Sequence, residues 1–412
     1  MNTKTLLLSM VAISCMALTS CSNDEEGPNP VETRISLTSE QAGISDRLQT
    51  FSWQLLGTLY QQAPTKNALC SPLSIETNLG MVLNGMTGEG KQELLSLLGL
   101  EGMSDETINL FFQTMAIGID QETDNRTRFT STNSVWYRKS LSLNADFQSA
   151  LTQYYKAEFY PVNFTSGTAD NINKWCSQKT NGRIPSIVDG TSEADQLYLI
   201  NAVYFLSKWA DKFTETHSRP FTNATGNTET VNMMRRTYED WGSYRYAYDD
   251  TYQAAALNFS SKTYSMVFIL PDADRTISEV LENITTKGLN LYSPENKLVI
   301  SVPKFETSSD YQLADVLRSM GCTLFDRPES FNIFTTNNIA PNQMRHKAYL
   351  KIDEEGAEAA AVTSTGMVTS AGPLPGEPIY LFFNRPFLYA IIENSTGYPL
   401  FLGYLGHVND TK

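Results

Sequence analysis

Histidine is scarce in this chain. His217, His346 and His407 are the only three, and they stand far apart. That spread suits neither a histidine-based metal centre nor a Ser-His-Asp site. Positive charge is also in deficit: 31 Lys and Arg against 45 Asp and Glu leave a formal net charge of −14. Such a balance argues against nucleic acid, polyanions or anionic lipid as partners. Cysteine is limited to Cys15, Cys21, Cys70, Cys176 and Cys322, a spacing that makes neither a disulfide framework nor a zinc pattern. The last three read as small buried hydrophobes. Also missing are Gly-x-Ser-x-Gly, His-Glu-x-x-His, Gly-x-x-x-x-Gly-Lys-Ser/Thr and Gly-x-Gly-x-x-Gly, the signatures of common hydrolase and nucleotide sites. Asp353-Glu354-Glu355 supplies adjacent carboxylates, but a strand running into a loop would not hold them as an acid/base pair. The expectation is a protein without catalytic residues, metal or cofactor.

Long hydrophobic runs are lacking too. The first segment, residues 1–20, has Lys4 followed by the apolar run Leu6 to Ile13, too short for a stable span and suited to a secretory signal. It ends in Leu18-Thr19-Ser20-Cys21, which resembles a bacterial lipobox and implies lipid attachment at Cys21. Ser22-Asn23-Asp24-Glu25-Glu26 follows, similar to the surface-export signal of Bacteroidetes lipoproteins. Residues 21–37 read as an acidic, flexible tether. The expected address is the bacterial outer membrane, held by the lipid, with the acidic run read either as the export signal or as a plain solvated tether.

Residues 38–412 read as one globular α+β domain, since neither an internal repeat nor an interior linker interrupts them. Ile44, Leu48, Phe51, Leu55 and Leu59 recur at helical spacing, predicting a helix over 38–62. A second helix is expected from Ser74 as N-cap, with Ile75, Leu79, Val82 and Met86 on its buried stripe. Leu94, Leu95 and Leu98 mark a third. Further helices are predicted near 105–119, 144–157, 169–180, 276–286 and 310–320, the last stopped by Gly321. Leu197 to Leu206, apolar but for Asn201, predicts a strand covered on both faces. Shorter strands are expected at His346 to Leu350, Val267 to Leu270, Leu298 to Val302 and Tyr380 to Phe383. Phe387 to Glu393 and Leu400 to Leu405 flank the hairpin turn Asn394-Ser395-Thr396-Gly397.

What is abundant near the C-terminus is small side chains. Gly356 to Ala371 carries one charge, Glu358. Side chains alternate along a strand, so Ala357, Ala359, Ala361, Thr363 and Thr365 would share one face that can enter a packed interior. Composition alone favours a flexible, small-residue surface loop.

Several blocks, in order, decide between these. They are Asn67 to Ile75, Asn171 to Trp175 with Thr180 to Ile184, Leu199 to Phe205 leading to Lys208-Trp209 and Phe213, and Met233-Met234. Val302-Pro303-Lys304-Phe305, Glu354 to Ala361, Asn384-Arg385-Pro386-Phe387 and Phe401-Leu402-Gly403 complete them. The chain resembles the serpins over nearly its whole length from about residue 43. The resemblance implies a fold of three β-sheets, about nine helices and an exposed reactive-centre loop near 354–380. It also implies an irreversible suicide-substrate inhibitor. A protease attacks the loop, and the cleaved loop then inserts as a strand, carrying the acyl-enzyme with it.

By that resemblance Glu354, Glu355, Gly356, Ala357, Glu358, Ala359, Ala360 and Ala361 form the hinge. Ser71, Ser74, Asn201 and His346 form a polar cluster where the sheet parts, and Trp209 and Lys304 lie at the top of that sheet. Ala357 replaces the family's usual Thr or Ser and stays small. About 15 inserted residues would span roughly 50 Å. Their ladder bonds contribute about 0.5–1.5 kcal/mol each against an ordering cost of about 1–2 kcal/mol per residue, so burial must tip the balance and a bulky or charged inward residue would spoil it.

Counting from Glu354 by the family's spacing places the scissile bond at Ser370–Ala371. The loop is longer than usual around Gly372 to Pro378, which keeps Met367, Val368, Thr369 and Leu374 as alternatives. No basic residue lies between Lys351 and Arg385, so a trypsin-like pocket has no cation to bind. The expected partner is an elastase-like or other serine protease accepting small uncharged residues, or a papain-like cysteine protease, bound covalently by a monomeric inhibitor. A non-inhibitory serpin acting as a surface binding module is the competing reading.

Overall fold

The computed structural model describes residues 35–122, 127–239, 242–336, 338–341, 344–355 and 377–409. Among them are eight α-helices: α1 (Ser39–Gln62), α2 (Pro72–Leu83), α3 (Gly88–Leu97), α4 (Asp105–Gln121), α5 (Ala145–Tyr155), α6 (Thr168–Lys179), α7 (Ile277–Lys287) and α8 (Leu313–Ser319). Thr38 opens α1 with a capping box, its hydroxyl accepting from the Gln41 amide while Gln41 accepts from the Thr38 amide. The predicted helices are present, with two shifts. Ser71, not Ser74, occupies the N-cap of α2, and Pro72 takes the first turn, where its missing N–H costs nothing. Met86 falls beyond the end of that helix. The other shift is at α8, which begins at Leu313 because 310–312 remain in a strand.

The strands form three layers. A six-stranded sheet runs in the order β1 (Ala68–Cys70), β15 (Pro399–Leu405), β14 (Phe387–Glu393), β9 (Tyr264–Pro271), β8 (Tyr252–Asn258), β7 (Tyr244–Tyr248). The predicted hairpin joins β14 to β15, and Gly397 takes φ 71° in its turn, a conformation glycine adopts without strain. Gly403 lies under Tyr389 so closely that a Cβ would stand 2.1 Å from the ring. A four-stranded sheet has the order β13 (Ile379–Phe382), β10 (Leu298–Pro303), β6 (Thr228–Tyr238), β5 (Glu215–Thr222).

The third layer is in two parts. Strands β3 (Glu158–Val162), β2 (Thr127–Arg138) and β4 (Leu197–Ser207) form one, and β11 (Phe305–Gln312) and β12 (Arg345–Ile352) the other. β4 and β12 are neighbours, yet no ladder joins them among the described residues. The three expected sheets are thus present, with the central one split along its middle.

As predicted, β4 is covered on both faces. Tyr198, Ile200 and Ala202 pack with Ala169, Ile172 and Trp175 of α6, whereas Leu197, Leu199 and Val203 join the main core. Cys70, Cys176 and Cys322 are buried free thiols. Their burial raises their pKa values, which keeps them protonated and unreactive. Strands β1, β2, β3, β5 to β8 and β11 escaped the sequence reading; in β2, β5, β6 and β11 polar residues interrupt the apolar alternation.

Candidate functional site: the split in the central sheet

Three sets of contacts hold the split closed, and each bridges the β4 side to the β12 side. The top set is built where β12 runs out into Asp353-Glu354-Glu355. The Trp209 indole N–H donates to the Asp353 carbonyl at 2.7 Å. The Trp209 and Phe213 amides donate to the Glu355 and Glu354 carbonyls, both at 3.2 Å. Trp209 is itself fixed by stacking on Phe259, with centroids 4.8 Å apart and rings 9° from parallel.

The Glu354 side chain is 3% exposed and pairs with Lys304 Nζ at 2.5 Å. The Thr216 hydroxyl donates to its other oxygen. Burial alone would raise this carboxyl, but the contacts with Lys304 and Thr216 outweigh it and hold the group below the usual carboxylate range. Lys212 reaches Glu355 at 3.0 Å and Lys351 reaches Asp353 at 3.3 Å. Trp209 and Lys304 are therefore brought together with Glu354 and Glu355, the start of the hinge. Gly356, Ala357, Glu358, Ala359, Ala360 and Ala361 lie outside the described residues. So do Met367, Val368, Thr369, Ser370, Ala371 and Leu374 in the loop, and Cys21 at the N-terminus.

The middle set is centred on α2. Ser74 bonds its hydroxyl to Asn201 Oδ1 on β4. Ser71 bonds its backbone amide to His346 Nε2 on β12 at 3.0 Å. The four residues thus form two pairs, one on each side of the split, and the N-terminal turn of α2 pins both. His346 accepts through Nε2, so it is neutral with its proton on Nδ1. Complete burial pushes its pKa down to about 4.

Asn201 extends the cluster. Its amide donates to Ser131 Oγ at 3.0 Å and to Asn133 Oδ1 at 2.7 Å on β2. Asn133 in turn donates to the Tyr155 carbonyl at 2.9 Å. Sequence reasoning missed Ser131, Asn133 and Tyr155. The signal available was the run Thr130-Ser131-Thr132-Asn133-Ser134, polar on both faces of what proves to be a strand.

The bottom set is ionic. Arg345 on β12 pairs with Asp310 of β11 at 2.6 Å and with Asp189, in the segment leading to β4, at 2.5 Å. No nucleophile–base pair is assembled by these contacts. They form a closure in three separate sets of polar contacts.

A family model described as serpin (serine protease inhibitor) matches residues 46–409. The chain belongs to the serpin family. Members are in the main protease inhibitors rather than enzymes, although some do not inhibit. The leukocyte elastase inhibitor of Xenopus tropicalis is 30% identical over 378 residues, covering 87% of this chain and 98% of its own. An uncharacterized serpin-like protein of Thermococcus kodakarensis is 28% identical over 379 residues, covering 90% of this chain and 87% of its own. Among solved structures, that of the thermophilic serpin tengpin in its native state matches with a TM-score of 0.77 at 27% identity. It covers 92% of this chain and 97% of that one.

Proposed function

We propose that this serpin is an irreversible suicide-substrate inhibitor that traps its protease by inserting the cleaved loop between β4 and β12. The observation that supports the reading is the split itself: β4 and β12 are adjacent, unladdered among the described residues, and held by side chains instead. A sixth strand placed there would gain ladder partners on both edges. The residues that would enter, Ala357, Ala359, Ala361, Thr363 and Thr365, are small and uncharged, so they bury without desolvating a charge.

The target is an elastase-like serine protease, or a serine or papain-like cysteine protease with a similar taste for small uncharged residues. The absence of Lys and Arg between Lys351 and Arg385 supports this. The inhibitor is carried on the outer membrane by lipid at Cys21, and Cys21→Ala should move it from the membrane fraction to the soluble one.

The test is incubation with a panel of elastase, subtilisin, papain and trypsin. It is read by SDS-stable complexes and by N-terminal sequencing of the released C-terminal peptide. Elastase should form the complex, with the new terminus at Ala371. Complex formation with trypsin alone would sink the specificity. If no protease forms a complex and loop cleavage leaves the melting temperature unchanged, the protein is instead a non-inhibitory binding module.

A further inference from the structure

Glu76 is the only carboxyl on α2, the helix that pins both sides of the split, and it is 0% exposed. Its Oε1 lies 2.7 Å from the Ser52 hydroxyl of α1. That same hydroxyl lies 2.8 Å from the Leu48 carbonyl oxygen. Its Oε2 meets the hydroxyl of Tyr398, just before β15. Three oxygen–oxygen contacts thus run in one line: Tyr398, Glu76, Ser52, Leu48.

Each contact needs a hydrogen, and a hydroxyl has one to donate. Tyr398 supplies one and Ser52 another. Ser52 cannot serve both Glu76 and Leu48, so the third hydrogen has to sit on Glu76. With Oε1 protonated, Tyr398 donates to Oε2, the carboxyl O–H donates to Ser52, and Ser52 donates to Leu48. Each of the three contacts then has one hydrogen. With Glu76 ionised, one pair of oxygens would face each other bare inside the core, where such contacts are costly.

We propose that Glu76 is carried as a neutral carboxylic acid, and that its proton is a pH-sensitive pin seating α2 beneath the split sheet. The groups facing it are the Ser52 and Tyr398 hydroxyls and the buried Cys70 thiol, and no cation pairs with it among the described residues. Burial raises the carboxyl to about 8, against the lowering effect of Tyr398 and Ser52.

The direction of the effect follows from linkage. An unfolded Glu titrates near ~4.3, so between there and about 8 the native state holds a proton that the unfolded chain has lost. Stability therefore falls as pH rises through that window, by about tenfold in the unfolding equilibrium per pH unit, and levels off above it. Glu122, buried beside Glu393 and Tyr264, is likewise raised to about 8 and adds a slope of its own. His346 acts in the opposite sense at acid pH.

The test uses the full chain in a Glu122→Gln background, comparing Glu76 with Glu76→Gln. The amide keeps a donor for Ser52 and an acceptor for Tyr398. Denaturant unfolding should show the Gln variant gaining on Glu76 by about tenfold per pH unit between pH 5 and 8. The infrared C=O stretch of a protonated carboxyl should be present at pH 7 with Glu76 and absent with Gln. Parallel unfolding curves, or no difference in that band, would overturn the proposal. If the Gln variant does not fold, the band in the Glu76 protein decides, and its loss on raising the pH through about 8 is the expected result. Slower spontaneous loss of inhibition at pH 8 in the Gln variant is a further expectation that rests on the proposed function. The unfolding and infrared readouts do not, so the two failures are separable.

Discussion

Replacing Lys304 with methionine would strand a buried carboxylate at the top of the central sheet. Glu354 is 3% exposed at the side chain and Lys304 stands 2.5 Å from it, itself 32% exposed. Breaking a fully buried pair costs about 3–5 kcal/mol, because the remaining charge stays in low dielectric. Here water reaches the lysine and screens part of the interaction, and Thr216 still donates to the carboxylate. We therefore expect a loss of about 2 kcal/mol, or roughly thirtyfold in the equilibrium for opening the sheet. Trp209 reports the event directly, since its indole bonds to the Asp353 carbonyl in the same closure. The assay is denaturant-dependent Trp209 fluorescence, isolated by subtracting a Trp209→Phe protein. Adding Glu354→Gln to Lys304→Met should recover most of the loss, because no unpaired charge then remains. A Lys304→Met protein as stable as the parent would refute the reasoning, as would a double variant no better than the single one.

Acid should open the split from its middle. His346 is neutral in the fold with its pKa depressed to about 4, against an unfolded value near 6.5. Its contribution is complete above about 6.5 and is lost as pH falls towards 4, a total of about 3 kcal/mol, leaving Ser71 N–H without its acceptor. Denaturation at pH 7 and pH 4, compared with His346→Asn, checks it, and an imidazole titrating near 6.5 by NMR would contradict it. Gly403→Ala should cost about 3 kcal/mol, since its Cβ would stand 2.1 Å from Tyr389 Cζ. An unchanged melting temperature would rule that clash out.

Local chemistry, repeated along the chain, is what the sequence determined unaided. Helical spacing located α1 to within a residue, and the unbroken apolar run of β4 announced a strand buried on both sides. Those signals survive because burial of a periodic face is decided within a few turns of chain. The small-residue stretch after Gly356, and the lack of any basic residue there, are likewise facts of sequence and need no fold to matter.

Tertiary structure decided which atoms of the polar groups meet, and added partners that no sequence block named. The resemblance groups Ser71 with His346, yet only the fold shows that the link runs from the Ser71 amide to the ring of a histidine 275 positions later. Glu354 looks like one acidic residue among three until Thr216 arrives from β5 and Lys304 from the link between β10 and β11. Glu76 carries no signal at all in its own helix. Its neighbour Tyr398 is 322 residues away, and the missing hydrogen becomes visible only when the oxygens of Tyr398, Glu76, Ser52 and Leu48 line up. Hydrophobic burial is additive and local enough to read from a pattern, whereas a buried hydrogen bond depends on partners the chain brings together only by folding.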